Sequence, residues 1–157
     1  MPECSLRELP PMMVATLAMH GPYAQMPKAF GVLYGRLAQE GHVPEGMPHG
    51  IYLTNPSEVP EDQAVWEVWT RIEDEAAPAG PDADGYAVRA VPATTVAATV
   101  HRGPYEQVAP AYAALGAWIA GQGLEMSGPP MEAYLNDPSG LPSEEYLTEV
   151  LFPVRRP

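Results

Sequence analysis

Residues 21–41 read GPYAQMPKAFGVLYGRLAQEG, and residues 103–123 read GPYEQVAPAYAALGAWIAGQG. The second segment starts 103 − 21 = 82 residues after the first, and both open with Gly-Pro-Tyr and close with Gly. At the same offset, residues 14–72 match residues 96–154 without a gap, through a series of Gly, Pro and Tyr positions. Such a series is not expected by chance, so we interpret the chain as an internal duplication.

The two quoted segments predict one helix each, over about residues 25–40 and 106–122. Apolar residues recur in them at helical spacing, as Ala29, Leu33 and Leu37 do in the first. A proline falls in the first turn of each helix, where the missing N–H costs nothing, and a glycine follows the last turn, where a left-handed cap is common.

Short β-branched or apolar runs predict three strands in each repeat. They lie at about 12–19, 50–55 and 64–73, and at 94–100, 131–137 and 146–154. The unit is therefore strand–helix–strand–strand, used twice. An acidic Gly/Pro/Ala segment at about 74–85 links the repeats, and residues 86–91 predict a further strand before the second unit.

This pattern predicts an α+β fold formed by one domain, residues 1–157. Repeat one covers about 12–73 and repeat two about 86–155. One such unit has too few strands to close a core alone. We expect two units related by a pseudo-two-fold, an antiparallel sheet with helices on one side, and a ligand cleft at the seam, since similar halves often hold ligands where they meet.

Composition excludes several classes of function. The chain has 8 basic and 20 acidic residues, a net charge of −12, so direct nucleic-acid binding is not expected. No apolar run reaches the length of a membrane span, and the N-terminus does not resemble a secretory signal. One cysteine, Cys4, in what we interpret as a mobile tail, gives neither a disulfide nor a zinc site. We expect a cytoplasmic protein with no cofactor and no metal.

Two acids stand at equivalent positions of the last strand in each repeat. Glu149 shares a strand face with Leu147 and Leu151, where a carboxylate is out of pattern if that face is core. It is either a solvated strand acid or an acid retained for a ligand. Its counterpart at the 82-residue offset is Glu67, so a two-fold would bring both acids near the seam.

Aromatic residues surround the first of these acids. Trp69 shares a face with Glu67 and is our candidate for a cleft wall, whereas Trp66 points to the opposite face and is expected to be core. Tyr52 and Tyr134, on adjacent strands, offer ring faces and hydroxyls. Aromatic faces stack on flat ligands and attract cations, at about 0.5–2 kcal/mol per contact.

The motif at residues 101–105 (HRGPY), followed by GPPMEAYLNDPSGLPSEEYLTEVLFPV at 128–154, resembles the GyrI-like small-molecule-binding domain. That family is the effector-binding module of AraC-type and MerR-type multidrug regulators and also occurs as free-standing proteins. The resemblance implies a cleft for flat, lipophilic, often cationic molecules, faced by the acid of the Thr-Glu-Val step, here Glu149. The resulting ligand-binding set is Glu149, Glu67, Trp69, Tyr52, Tyr134, Trp66, Tyr105 and Leu147.

Three functions stay open on the sequence. The first is sensing or sequestration of a hydrophobic, planar or cationic compound. The second, also implied by the resemblance, is hydrolysis of cyclopropane-bearing DNA-alkylating natural products with Glu149 or Glu67 as general base. The third is a protein–protein role of the gyrase-inhibitor type. About 11 residues precede the first predicted strand, so we expect no DNA-binding domain here; a regulator or gyrase is the expected protein partner.

The histidines next to the Gly-Pro-Tyr motifs need no ligand. His101 fits the family's His-x-Gly pattern and His20 lacks the spacer residue. We expect such a histidine to hydrogen-bond a backbone carbonyl, and no histidine spacing suggests a metal site.

Overall fold

Antiparallel strand pairing organises the computed structural model, which describes residues 3–157. The chain forms two compact units. The middle unit is Pro11–Pro92, and the terminal unit combines the residues up to Pro10 with Ala93–Pro157. Each unit is an antiparallel sheet with one α-helix packed against two of its strands. The predicted α+β class with an antiparallel sheet is therefore confirmed, whereas the two-fold relation and the seam cleft stay predictions.

The middle unit contains the strands β2 (Met12–His20), β3 (His49–Tyr52), β4 (Val65–Ile72) and β5 (Tyr86–Val91), and helix α1 (Met26–Glu40) follows β2 in the chain. Its sheet has the strand order β3-β4-β2-β5. Helix α1 buries Ala29, Leu33 and Leu37, which join Trp66 and Val68 of β4 in one apolar cluster. This face of the sheet is the core of the unit.

The elements of the terminal unit are β1 (Ser5–Leu9), β6 (Thr94–Arg102), α2 (Ala109–Gly121), β7 (Glu125–Met126), β8 (Met131–Tyr134) and β9 (Leu147–Arg155). Its sheet has the strand order β8-β9-β6-β1, and β7 also pairs with β9. Helix α2 buries Ala111, Leu115 and Ile119 against Val150 and Phe152 of β9.

Strand registers agree between the units at the offset of the sequence repeat. Thr16 pairs with Trp69, and Ala98 pairs with Leu151, so both partners shift by 98 − 16 = 151 − 69 = 82. The outermost strands follow the same rule, since Thr16 pairs with Ala87 and Ala98 pairs with Ser5. Equal registers keep the same strand positions on the core face of both sheets.

The outermost strands correct two expectations. The predicted strand at 86–91 forms, but it pairs with β2 of the middle unit rather than joining the second unit. The N-terminal segment is not a mobile tail, because Ser5–Leu9 pairs with β6 and Cys4 packs against the core of the terminal unit. Each of these strands covers an edge whose unpaired N–H and C=O groups need a partner, and the sequence does not reveal which edge it covers.

A glycine with a left-handed backbone follows both helices, as the C-cap Gly41 after α1 and as Gly123 directly after the C-cap of α2. Gly41 has φ 76° and Gly123 has φ 71°, the left-handed conformation that costs a glycine least. Gly21 and Gly103, which open the two Gly-Pro-Tyr motifs, also have positive φ angles of 106° and 133°. The expected role of His101 is confirmed, since its Nε2 lies 3.0 Å from the carbonyl oxygen of Pro104.

A carboxylate just after β4 holds the chain that follows α1. Glu73 accepts a hydrogen bond from the backbone N–H of Val43 and contacts the ring of His42. These contacts, the backbone bond first, lower the pKa of Glu73 from 4.5 to about 2. A lowered folded pKa means that the stability it contributes is complete above about pH 4.5 and is lost as the pH falls toward 2.

We expect Glu73→Gln to flatten the dependence of the unfolding free energy on pH between about 4.5 and 2, because the variant has no carboxylate to protonate there. Urea unfolding at a series of pH values measures this slope. Glu75→Gln, at a neighbouring exposed acid, is the control and should keep the slope of the parent chain. Equal slopes for all three proteins would contradict the role given to Glu73.

Candidate functional site

Alternation along β4 separates two kinds of residue. Trp66 and Val68 belong to the core cluster under α1. Glu67 and Trp69 therefore lie on the opposite face of the sheet, as the sequence predicts. Both are nearly buried, with 9% and 7% of their surface exposed. A carboxylate and an indole on one largely buried face are the starting point for a ligand site.

An arginine from β5 completes this group. Arg89 Nη2 donates to Glu67 Oε1 at 2.6 Å, and its guanidinium carbon lies 5.7 Å from the centre of the Trp69 ring. The Glu67 side chain is 11% exposed and that of Arg89 is 47% exposed. The arginine thus reaches from solvent to a carboxylate that is mostly shielded, and it passes an aromatic face that favours cations. We call Glu67, Trp69 and Arg89 the cation triad.

The terminal unit contains an equivalent ion pair. Arg7 of β1 donates through Nη1 and Nη2 to the two carboxylate oxygens of Glu149, both at 2.7 Å. These residues are the offset counterparts of the first pair, since 89 − 7 = 149 − 67 = 82. The hydrogen bonds that Arg7 donates to Glu149 raise the pKa of Arg7, so the fork stays charged. The ion pair therefore belongs to the repeated unit and is not specific to one half.

The two pairs differ in what surrounds them. The offset counterpart of Trp69 is Leu151, which is fully buried, and that of His49 is Met131. In the middle unit, the rings of His49 and Trp69 meet edge to face at 5.9 Å. Glu149 is held through both oxygens, whereas Arg89 holds Glu67 through Oε1 alone. An aromatic wall and a less engaged carboxylate therefore occur together in the middle unit.

Comparison with known proteins identifies the family. The model of the GyrI-like small molecule binding domain matches residues 2–155. The chain belongs to this family. No curated protein sequence is significantly similar to it.

Solved structures agree with this GyrI-like fold. The C-terminal domain of EcmrR is 22% identical, with 99% of both chains covered and a TM-score of 0.82. An EcmrR–DNA complex gives a TM-score of 0.84 at 21% identity over 99% of this chain, which spans 58% of the EcmrR chain. A hydrolase from Listeria innocua also shares the fold, with 16% identity, 98% of this chain and 92% of that chain covered, and a TM-score of 0.75. So does SAV2435 bound to tetraphenylphosphonium, with 17% identity, 98% of this chain and 94% of that chain covered, and a TM-score of 0.57.

Other residues of the predicted set lie away from the cation triad of this GyrI-like chain. Tyr52 pairs with Trp66, and both contact the core under α1. Tyr23 joins them edge to face, at 5.4 Å from Tyr52 and 5.7 Å from Trp66. The indole N–H of Trp66 donates to the carbonyl of Gly21 at 2.9 Å. The structure therefore places Trp66 and Tyr52 on the helix-covered face, opposite Glu67.

The predicted tyrosines of the terminal unit form their own group. Tyr105 meets Tyr134 edge to face at 5.6 Å and stacks on Tyr146 at 4.9 Å. Burial raises the pKa of Tyr105, which keeps its hydroxyl protonated at neutral pH. Leu147 is half-buried at the start of β9 and shares the face of Glu149.

Sequence reasoning missed three charged residues. Arg7 and Arg89 would have been found by extending the repeat offset upstream to residues 7 and 89. Glu132, 93% buried, accepts hydrogen bonds from the hydroxyls of Tyr112 at 2.5 Å and Tyr134 at 3.2 Å. Its counterpart in the middle unit is Gly50, so no repeated signal marks it.

Residues 3–157 contain no group of three or more His, Cys, Asp or Glu side chains placed to hold a metal ion. None of the helices over the same residues is long and apolar enough to cross a membrane.

Proposed function

We propose that this chain senses or sequesters a hydrophobic, planar, cationic small molecule, and that it does so at the cation triad of the middle unit. One observation carries the proposal: a planar cation, the guanidinium of Arg89, already contacts the carboxylate of Glu67 at 2.6 Å and lies 5.7 Å from the centre of the Trp69 ring. A planar cationic ligand in the position of this guanidinium would form an ion pair with the same carboxylate and a cation–π contact with the same ring.

The wider family supports the chemical class of this ligand. The chain belongs to a small-molecule-binding family, and one structure of the same fold holds tetraphenylphosphonium, a lipophilic cation. The acid of the terminal unit is the weaker candidate, because Arg7 occupies both oxygens of Glu149 and no aromatic ring replaces Leu151 beside it. A role for Glu149, hydrolysis of cyclopropane rings, and a regulator or gyrase partner stay predictions.

We expect the chain to bind rhodamine 6G, a planar aromatic cation. Glu67→Gln should weaken binding by about tenfold or more, because it removes a largely desolvated counter-charge, and about 1.4 kcal/mol corresponds to that factor. Trp69→Leu, which introduces the residue found at the offset counterpart, should weaken binding by about three- to tenfold through the lost ring face. Fluorescence anisotropy of the dye measures all three dissociation constants.

The control is Glu61→Gln, which changes the net charge by the same unit at an exposed acid of the middle unit. It should leave the affinity within about twofold, since a screened surface charge contributes little. Unchanged affinity in both Glu67→Gln and Trp69→Leu would remove the triad as the site. A loss in Glu149→Gln alone would move the site to the terminal unit.

A further inference from the structure

Arg89 shows what kind of cation the buried carboxylate accepts. Its guanidinium is planar, carries N–H donors and donates one of them to Glu67 at 2.6 Å. Glu67 is 91% buried. A cation without N–H groups that displaced Arg89 would leave this carboxylate, whose side chain is only 11% exposed, without its charge-assisted hydrogen bond, which is costly. The chemistry of the acceptor therefore favours ligands that donate hydrogen bonds over ligands that carry only a charge.

One oxygen of Glu67 accepts no hydrogen bond from the described residues. Within residues 3–157, Oε1 receives the bond from Arg89 and Oε2 receives none, whereas both oxygens of Glu149 are bound by Arg7. The Arg7–Glu149 pair shows that a two-pronged fork fits the equivalent carboxylate in this fold. An amidinium or guanidinium group has this fork geometry, and it can bind two carboxylate oxygens at once.

Arg89 itself must compete with such a ligand. Its side chain is 47% exposed against 11% for Glu67, so Arg89 gives up less shielding than the carboxylate would when the pair opens, while Glu67 stays in place on strand β4. When a side chain occupies the site, the apparent affinity of a ligand equals its intrinsic affinity multiplied by the fraction of time for which the site is vacant. The tether makes Arg89 a high-concentration internal competitor for the carboxylate.

We propose that the cation triad selects aromatic amidines and guanidines over quaternary cations, and that Arg89 is the built-in competitor that sets the affinity threshold for them. This proposal rests on the proposed function only in placing the ligand at Glu67 and Trp69. The ligand's amidinium takes the position of the Arg89 guanidinium, and its ring lies along the indole of Trp69.

Two probes of similar size test the selectivity. Benzamidinium has the N–C–N fork, and benzyltrimethylammonium has the same ring and charge without N–H groups. Titration calorimetry on the full chain should show that Arg89→Ala raises the affinity for benzamidinium about tenfold, as expected if Arg89 fills the site about nine-tenths of the time. Benzyltrimethylammonium should gain less than about threefold, because it cannot satisfy the vacated carboxylate.

Two further variants keep the test specific. Arg102→Ala removes an exposed arginine, 68% exposed at the end of β6, and should change neither affinity by more than about twofold. The double variant Arg89→Ala/Glu67→Gln should lose the gain for benzamidinium, because the acceptor charge is gone. Circular dichroism of each variant verifies that it is folded.

Several outcomes would overturn the proposal. They are an unchanged or lower benzamidinium affinity in Arg89→Ala, an equal gain for both probes, or a gain that survives Glu67→Gln. If rhodamine 6G binds the parent chain in a Glu67-dependent manner while Arg89→Ala has no effect, the proposed function stands and this inference fails. If neither dye nor benzamidinium binds any variant, both fail.

Discussion

Trp66→Ala is expected to destabilise the chain by about 3–5 kcal/mol, the range measured when a large aromatic side chain is deleted from a packed core. Trp66 has no exposed surface, and it packs with Leu33 and Leu37 of α1. Its indole N–H also satisfies the carbonyl of Gly21, at the first Gly-Pro-Tyr motif. The deletion therefore opens a cavity and leaves a carbonyl without its donor.

Urea unfolding followed by circular dichroism measures this loss. Trp66→Phe keeps most of the ring and removes the N–H, so we expect a smaller loss of about 1–2 kcal/mol. Trp118→Ala is the matched control, because Trp118 is only partly buried at the edge of the other core cluster. A cost for Trp66→Ala no larger than that for Trp118→Ala would contradict the central packing role of Trp66.

Removal of the first nine residues is expected to destabilise the terminal unit by about 3 kcal/mol or more. The truncated chain loses β1, which pairs with β6 along its whole length, from Ser5 opposite Ala98 to Leu9 opposite Thr94. It also loses Arg7, so Glu149, with a side chain only 12% exposed, keeps neither of its two charge-assisted hydrogen bonds. Isolating a largely buried charge in this way costs several kcal/mol.

Hydrogen exchange localises the effect. Amides of β6 that face β1 should exchange much faster in the truncated chain, because β6 becomes an edge strand, whereas amides of β4 in the middle unit should keep their protection. Full-length Arg7→Met separates the two causes: it removes the ion pair and keeps the strand. If β6 keeps its protection after truncation, β1 does not contribute to the stability of this sheet.

The pairing of Arg89 with Glu67 also changes how the acids of the sequence should be interpreted. A carboxylate with an aromatic neighbour suggests a vacant counter-charge for a cationic ligand, and the base nearest to Glu67 on its own strand, Arg71, pairs with Asp74 instead. The positive charge that neutralises each acid comes from an arginine on another strand, more than about 20 residues away in sequence. Under the proposed function, a ligand at Glu67 must therefore satisfy this carboxylate better than Arg89 does.

The sequence by itself determined the two helices and the strands of the repeat, together with their faces, but not the N-terminal strand Ser5–Leu9 or the short strand Glu125–Met126. Some of the signals in the sequence are local: periodicity, first-turn prolines and capping glycines depend on the conformation of a few neighbouring residues. The 82-residue repeat is found by comparing the sequence with itself. These signals were enough to predict both helices, the α+β class, and the opposite faces of Trp66 and Glu67.

Tertiary structure alone decided the partners. The strands Ser5–Leu9 and Tyr86–Val91 each cover a sheet edge through pairing between residues that are distant in the chain. This pairing brings Arg7 to Glu149 and Arg89 to Glu67. The same holds for Tyr52, which lies on the core face with Trp66 because of its register with β4. Strand pairing uses backbone groups that every residue carries, so side-chain patterns specify that a strand forms without specifying its neighbour.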